Sequence, residues 1–440
     1  MYNIILKQKL VILIYFSIFF FFIKIKFGID KKENYSYNNN KTIKLGINTI
    51  GIKGGGRARI TAIFLNYLYK QKLFKLYLFS ICNKIKDEYP IPKDIKRIKI
   101  LNNNPDYLIS KIKENDIEIF IYQLSYPNEI RKLNKLKDIK VIFYIHSSIF
   151  YFIYSNNYGF YKYLYKSYTN CKFVVNLVHL ENDYLFKKWN INSLFINNFV
   201  TYDYKEITPS DLSSQNIIMI GRNSKSKRFN LGIQSMKYIV SEIPNSKMSI
   251  LIVHSNNILF NLINSLNLSN YIDIIENTKN PEKYLKNSSL HIFPSICESF
   301  GLVLSEAKIF GIPSIILGLD YLTLAKGGTI ILYDDSPKII AREAIKILKN
   351  TTYRIKLGKE ARDSMKYFLN ENTSRRWIEI ILSIYKGDKY YDILRKKQSY
   401  ISKNESLIIY KNQFQLFKKR IDYFHNFNFS DFDNFMNFNK

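Results

Sequence analysis

The chain has 440 residues, 47% of them hydrophobic, and a formal net charge of +30 at pH 7. This length exceeds the usual size of one hydrophobic core, so we expect two globular domains, and the apolar content excludes a largely disordered protein. The positive excess is mostly Lys spread along the whole sequence, without the Arg-rich stripe with interleaved aromatics that is typical of nucleic-acid binding. We therefore expect no nucleic-acid partner.

An apolar run, Leu10–Ile23, lies between lysines near the start of the chain. The run is short for a membrane span and suits the core of a signal peptide, but no small-residue cleavage site follows it. We therefore predict that residues 1–40 form a single-pass membrane anchor, or a signal segment, followed by a polar linker. Lysines on both sides of the run assign no orientation.

From residue 41 to residue 205, short β-branched or aromatic runs alternate with stretches long enough for helices, such as Pro105–Lys113. This alternation is typical of a doubly wound parallel sheet. The predicted strands of this first domain are Ile43–Ile47, Leu76–Ser80, Ile98–Leu101, Ile117–Tyr122, Val141–His146 and Phe173–Leu177.

A polar, turn-rich boundary follows at Thr201–Gln215, and the alternation then restarts, which predicts a second domain over residues 206–387. Helices from Ser336 to Tyr385 are expected to close it, and residues 388–440 are predicted to be a basic helical extension with a disordered tail. The fold class is α/β, with two tandem Rossmann-like, doubly wound parallel sheets facing a cleft. The predicted strands of the second domain are Ile217–Ile220, Met248–Val253, Leu290–Phe293 and Ser314–Leu317.

Metal-ligating residues form no cluster in the sequence. The three cysteines are widely spaced, the five histidines are scattered, and Asp431 and Asp433, the one Asp-x-Asp pair, lie in the Phe- and Asn-rich tail. These spacings match neither a disulfide framework nor a zinc site. We expect no metal site and no bound cofactor.

The most informative stretch follows the predicted strand Leu290–Phe293. The chain passes Glu298, reaches Phe300-Gly301, and enters a helix near Leu302 that carries Glu306. A glycine at a helix N-terminus lets backbone N–H groups approach an anion or sugar hydroxyls. One glutamate could then accept hydrogen bonds from a sugar and the other from a ribose diol. By spacing alone, ordinary loop and helix glutamates are an equal alternative.

Three further features follow other predicted strands. Arg222 and Lys227 could compensate the charge of a diphosphate leaving group, although scattered lysines make a solvated role the better reading of the pair alone. Glycines at Gly54–Gly56 precede a predicted helix, where a plain turn and a binding loop are equally good readings. His146 ends a strand at the cleft and could bind a sugar, although a lone His is more often structural.

Together these segments resemble the family-4 glycosyltransferases of GT-B fold, with a Glu-x7-Glu stretch of the group 1 type, from about Lys41 to Gly387. This sequence has Asn198-Phe199 where the family has Asn-Pro, Cys297 before the first Glu, and His254-Ser255 in place of a usual Gly. The resembling sequences are GGGRAR at Gly54–Arg59, HSS at His146–Ser148, ENDYLFKKWNI…NNF at Glu181–Phe199, GRNSKSK at Gly221–Lys227, ESFGLVLSE at Glu298–Glu306 and GLDYLTLAKGG at Gly318–Gly328.

The resemblance implies that Glu298 contacts the donor sugar, that Glu306 binds the nucleotide ribose, and that Arg222 and Lys227 hold the diphosphate. It also implies that the glycine loop lines the approach to the diphosphate and that His146 lies near the sugar. The expected catalytic residues are Glu298, Arg222, Lys227 and His146, and the expected substrate-binding residues are Gly55, Gly56, Arg59, Phe300, Gly301, Leu302 and Glu306.

The implied function is a retaining, metal-independent glycosyltransferase without a covalent protein nucleophile. It would move a hexose-type sugar from a UDP- or GDP-linked donor to a glycan or lipid-linked acceptor. One alternative is a non-catalytic, membrane-tethered protein that binds sugar or nucleotide on the same scaffold. A glycosidase with Glu298 and Glu306 as its carboxylate pair is disfavoured by the tandem open sheets and by the Arg and Lys pair.

Overall fold

The computed structural model describes residues 42–83, 86–148, 150, 158–182, 189–397 and 403–420. The apolar run Leu10–Ile23 and the Phe- and Asn-rich tail lie outside these residues, so the anchor and the disordered tail stay predictions. Within the described ranges, no helix is both long enough and apolar enough to cross a bilayer.

The first domain is built on a seven-stranded parallel sheet with the order β3-β2-β1-β4-β5-β6-β7. Its central strands are buried on both faces, which explains why they are near-continuous apolar runs. The elements are β1 (Ile43–Thr49), α1 (Gly55–Lys70), β2 (Phe74–Ser80), β3 (Lys96–Lys99), α2 (Pro105–Glu114), β4 (Ile119–Tyr122), α3 (Pro127–Leu133), β5 (Lys140–Ile145), α4 (Tyr158–Tyr168), β6 (Phe173–Asn176) and β7 (Ser193–Phe195).

The second domain repeats this plan on a six-stranded parallel sheet with the order β10-β9-β8-β11-β12-β13. Its elements are β8 (Asn216–Arg222), α5 (Phe229–Glu242), β9 (Lys247–Val253), α6 (Asn257–Ser265), β10 (Ile272–Glu276), α7 (Pro281–Lys286), β11 (Leu290–Phe293), α8 (Leu302–Ile309), β12 (Ser314–Leu317), β13 (Thr329–Leu332), α9 (Pro337–Lys349) and α10 (Thr351–Ser364).

Two tandem parallel sheets confirm the predicted Rossmann-like architecture, and every predicted strand overlaps an observed one. The sequence analysis missed β7, β10 and β13. All three lie at the edges of their sheets, where β7 is only three residues long and β10 and β13 are partly exposed. Edge strands lack the long buried run that marks a central strand, so the hydrophobic pattern did not reveal them.

The order of each sheet reverses at one point, between β1 and β4 in the first domain and between β8 and β11 in the second. Ligands of open α/β sheets bind outside the carboxyl ends of the strands at such a point. The glycine loop follows β1, Arg222 ends β8, and the loop that carries Glu298 follows β11. The topology therefore brings the segments singled out from the sequence to the two facing switch points.

After α10, the described part of the chain continues with three more helices: α11 (Asn370–Lys386), α12 (Asp388–Lys397) and α13 (Lys403–Lys419). Helix α11 ends the segment that was expected to close the second domain, but it packs on the first domain instead. Its fully buried Trp377 ring has its centroid 4.8 Å from that of Phe64 and 4.9 Å from that of Tyr144. The burial of this large ring accounts for the return of the chain to the first domain.

One apolar cluster contains buried residues of both domains. Phe150 follows β5 in the first domain, and its ring centroid lies 4.3 Å from that of Tyr321 in the second. The two domains are therefore packed against each other beside the switch points.

Candidate active-site cleft

Helix α8 begins in the loop that follows β11. Gly301 precedes its first residue and has a φ of +83°, a left-handed conformation that a side chain disfavours. The side chain of Phe300 is only 3% exposed and packs near Phe368, with 6.0 Å between ring centroids. Phe300 thus anchors the loop in the core, and its backbone is the part that can face a substrate.

Glu298 lies in this loop and forms an ion pair with Lys227, which lies in a short turn after β8. Both side chains are 16% exposed. The Tyr321 hydroxyl accepts a hydrogen bond from Glu298 N–H (2.9 Å) and donates one to the carbonyl oxygen of the same residue (3.0 Å). The sequence analysis did not single out Tyr321, although it belongs to the GLDYLTLAKGG stretch quoted for the resemblance.

Glu306 lies on α8 and is paired with the opposite domain. Its Oε1 atom accepts hydrogen bonds from Arg59 Nη1 (3.1 Å), on α1, and from Thr201 Oγ1 (2.6 Å), in the interdomain linker. Burial raises the pKa of the Glu306 carboxyl, while Arg59 and Thr201 act in the opposite direction. Two residues of the expected substrate-binding set, Arg59 and Glu306, therefore bridge the domains.

The glycine loop touches the start of α8. Gly54 and Gly55 have φ values of +68° and +71°, and α1 begins at Gly55. A Cβ atom added to Gly56 would lie 2.7 Å from Leu302 Cδ1, so a larger residue at this position would require the Leu302 side chain to move. The N-termini of α1 and α8 therefore meet between the two domains. Each helix N-terminus presents unpaired N–H groups and a partial positive charge, which together favour an anion.

We call the region where the segments that follow β1, β5, β8 and β11 meet the seam between the domains. A hydrogen bond from a backbone N–H to a side chain also belongs to it. Ser148 N–H donates a hydrogen bond to Ser299 Oγ at 2.8 Å, and so joins the segment after His146 to the residue beside Glu298.

His146 lies one residue beyond the end of β5. Gln123 donates through Nε2 to Asn48 O (2.7 Å) and Thr61 Oγ1 (2.9 Å), so its Oε1 must accept a hydrogen bond from His146 Nε2–H, 2.8 Å away. Burial, and secondarily the charge of Arg57, hold the pKa of His146 well below its usual range. His146 is therefore neutral at pH 7, and its Nδ1 atom is a hydrogen-bond acceptor.

Two arginines of the seam carry no ion pair or hydrogen bond through their guanidinium groups within the described residues. Arg222, at the end of β8, is exposed. Arg57, in the first turn of α1, has its pKa lowered by burial, and nearby charged Arg222 adds to this effect. The sequence analysis did not assign a role to Arg57, although the GGGRAR sequence displayed it.

The described part of the chain contains no group of three or more His, Cys, Asp or Glu side chains placed to hold a metal ion. The positively charged side chains along the seam include Arg57, Arg59, Arg222 and Lys227.

Residues 202–364 match the family model described as glycosyl transferases group 1. An uncharacterized glycosyltransferase of Methanocaldococcus jannaschii is 36% identical over 99 residues, which cover 22% of this chain and 24% of that protein. The match therefore spans about a quarter of the length of that relative.

Three solved structures share the two-domain architecture. Sucrose-phosphate synthase from Thermosynechococcus elongatus aligns with a TM-score of 0.66 at 12% identity, over 78% of this chain and 99% of that one. HepE from Anabaena, in complex with UDP, gives 0.64 at 13% identity over 78% and 100%. A glycosyltransferase from Rickettsia africae gives 0.60 at 18% identity over 81% and 99%. The chain thus has the GT-B fold, and the match over residues 202–364 supports a group 1 glycosyltransferase.

Proposed function

We propose that this chain is a retaining, metal-independent glycosyltransferase of family 4. It transfers a hexose-type sugar from a UDP- or GDP-linked donor to a glycan or lipid-linked acceptor. The observation that carries the proposal is the meeting of two helix N-termini at Gly56 and Leu302, with Arg222 near the start of α1 and without an ion pair or hydrogen bond to its guanidinium among the described residues. A diphosphate has the charge and the acceptor oxygens that this arrangement would bind.

The donor nucleotide is assigned to Glu306. Both of the hydrogen bonds that Glu306 accepts from Arg59 and Thr201 fall on Oε1, so Oε2 is the atom we assign to a ribose hydroxyl. The diphosphate is assigned to Arg222, Lys227 and the N–H groups at Gly301 and Leu302.

The transferred sugar is assigned to Glu298 and His146. Lys227 is shared, because it is paired with Glu298 and a bound diphosphate would compete for its ammonium group. The neutral Nδ1 of His146 can accept a hydrogen bond from a sugar hydroxyl.

The chemistry is departure of a nucleoside diphosphate from the anomeric carbon. Arg222, Lys227 and the helix N-terminus stabilise the negative charge that develops on the leaving phosphate. The departing phosphate oxygen then accepts the proton of the acceptor hydroxyl, which attacks from the same face and retains the configuration. No side chain forms a covalent intermediate in this scheme.

Two circumstances favour particular substrates. HepE, which shares the fold, was solved in complex with UDP and in complex with UDP-glucose, so UDP-sugars are the first donors to test. The apolar run Leu10–Ile23 would hold the cleft near a membrane surface, where a lipid-linked acceptor resides.

A screen of UDP- and GDP-sugars against the full-length protein in detergent tests the proposal. We expect one donor to bind calorimetrically and to be hydrolysed slowly. Arg222→Ala should lower turnover on the order of a hundredfold, because a developing charge loses a preorganised donor. Arg375→Ala, at an exposed position of α11, is the matched control.

Binding of a donor without turnover, in the presence of any acceptor, would favour the non-catalytic binding protein instead. Binding of none of the nucleotide-sugars would contradict both functions.

A further inference from the structure

Helix α13, which lies beyond the residues that match the family model, contacts both domains. The Tyr410 hydroxyl donates a hydrogen bond to Leu180 O of the first domain at 3.1 Å. Gln413 Nε2 donates to Asp320 Oδ1 (2.7 Å), and Asn412 Nδ2 to Asp320 Oδ2 (3.0 Å), both in the second domain. The helix is thus fixed to the loop that follows β12.

That loop leads directly to Glu298. Gln413 Nε2 also donates to Gly318 O, and Leu416 packs so closely on Gly318 that a larger residue there would displace the Leu416 side chain. Three residues on, the Tyr321 hydroxyl holds the backbone N–H and C=O of Glu298. A displacement of α13 would therefore move the support of the Glu298 loop.

A second connection leads from the end of α13 to Lys227. Arg420 donates to both carboxylate oxygens of Asp335, through Nε (2.7 Å) and Nη2 (2.8 Å). Asp335 also accepts a hydrogen bond from Arg228, whose fully buried side chain donates through Nε to Pro294 O at 2.7 Å. Arg228 directly follows Lys227, and Pro294 begins the segment that carries Glu298.

Asp335, whose side chain is about one quarter exposed, and Arg228 together thus join three segments: the end of α13, the turn that carries Lys227, and the start of the Glu298 loop. Arg228 has a φ of +48°, so its backbone conformation is uncommon for a residue with a side chain. The hydrogen bonds to Asp335 and Pro294 explain why Arg228 keeps this conformation, because they provide partners for a guanidinium group that would otherwise be buried without any.

We propose that helix α13 is a positioning element of the transferase site, in which Arg420 acts through Asp335 and Arg228 to set the Lys227–Glu298 ion pair. Arg420 itself touches neither member of that pair among the contacts described. The placement of the pair is a property of the structure, and the effect on turnover rests on the proposed function.

Hydrogen exchange of the full-length protein tests the placement without any substrate. In Arg420→Ala, we expect faster exchange in the segments 223–228 and 295–301, and unchanged exchange in the central strands β8 and β11 before those segments. Arg420→Lys, which keeps the charge but loses the fork geometry, should give a smaller increase. Lys411→Ala, at an exposed position of the same helix, should change nothing.

Unchanged exchange in both segments in Arg420→Ala overturns the inference, whatever the activity. Faster exchange throughout the second domain in Arg420→Lys as well as in Arg420→Ala also overturns it, because Arg420 would then only stabilise the fold.

Turnover of the donor supplies a second readout. Arg420→Ala should lower kcat about tenfold and leave the KM for the donor within about twofold, because the nucleotide is held mainly by Glu306 and Arg222. In a Lys227→Ala background, the same change should cost little more, since the residue through which it acts is already absent. Equal losses in both backgrounds would contradict action through the pair. Local exchange effects in a protein that turns over no nucleotide-sugar would leave the placement standing and refute only the proposed function.

Discussion

The two glutamates of the Glu-x7-Glu stretch have different partners, and this difference assigns them different tasks. Glu298 faces Lys227 of its own domain, whereas Glu306 faces Arg59 and Thr201 across the seam. The loss of Glu298 should therefore release the cation that we assign to the diphosphate. The loss of Glu306 should instead remove the carboxylate that we assign to the nucleotide, and weaken the bridge between the domains.

We predict that Glu306→Gln weakens binding of free UDP, because a charge-assisted hydrogen bond contributes about 1.5–3 kcal/mol. Glu298→Gln should leave UDP binding unchanged or slightly stronger, since Lys227 is then free for the diphosphate, and should weaken binding or turnover of the intact donor. Titration calorimetry of UDP and the UDP-sugar into each variant measures both effects, with the exposed Glu360→Gln as control. Equal weakening of UDP by the two substitutions would refute this division.

At the scale of the element, helix α8 combines a cleft-facing side with a buried lysine. Lys308 is fully buried, and its Nζ atom donates to the carbonyl oxygens of Leu324 (2.6 Å) and Lys326 (2.5 Å) and to Thr329 Oγ1 (3.3 Å). These bonds tie α8 to the same loop that carries Tyr321. Burial lowers the pKa of Lys308 to about 7.

A lysine with this pKa makes stability depend on pH. Above pH 7 the folded protein releases the Lys308 proton, while the unfolded chain keeps it up to its ordinary pKa near 10.5. The unfolded state then binds more protons, so the free energy of unfolding should rise between pH 7 and pH 10, by at most about 1.4 kcal/mol per pH unit. Well below pH 7, Lys308 is protonated in both the folded and the unfolded state, so it no longer makes the free energy of unfolding depend on pH.

Urea unfolding at several pH values checks this prediction. Lys308→Met should remove the rise, whereas Lys356→Met, at an exposed position of α10, should retain it. The same rise in the wild type and in Lys308→Met would show that the three oxygens keep the ammonium charged.

The features that could be predicted from the sequence are those that depend on a local pattern of residues. Buried central strands such as β11 and β12 form unbroken apolar runs, and the start of α8 is marked by Phe300-Gly301, so both were predicted at their observed positions. The pairing of Arg59 with Glu306 joins residues 247 positions apart and has no local signal. The same holds for Tyr321 at Glu298 and for the return of α11, because each depends on how distant segments pack.

At the scale of the whole molecule, the predicted anchor would place the cleft at a membrane. We expect the Leu10–Ile23 run to send the full-length protein to the membrane fraction and to resist carbonate extraction, because a spanning segment is held by its apolar surface. Deletion of residues 1–29 should release the protein from membranes without loss of donor binding. Release of the full-length protein by carbonate would mean that the run is cleaved or only lies at the interface.

The apolar cluster shared by the two domains limits how recombination can exchange parts of this chain. Phe150 and Tyr321 each cover a surface that would otherwise face water, and Trp377 on α11 covers Phe64 and Tyr144 of the first domain. A first domain that ends near residue 205 lacks Trp377, and a second domain that begins there leaves α11 without its docking surface. Neither half can therefore be exchanged as a free-standing module, and recombination that swaps one half must bring in a partner with a complementary face.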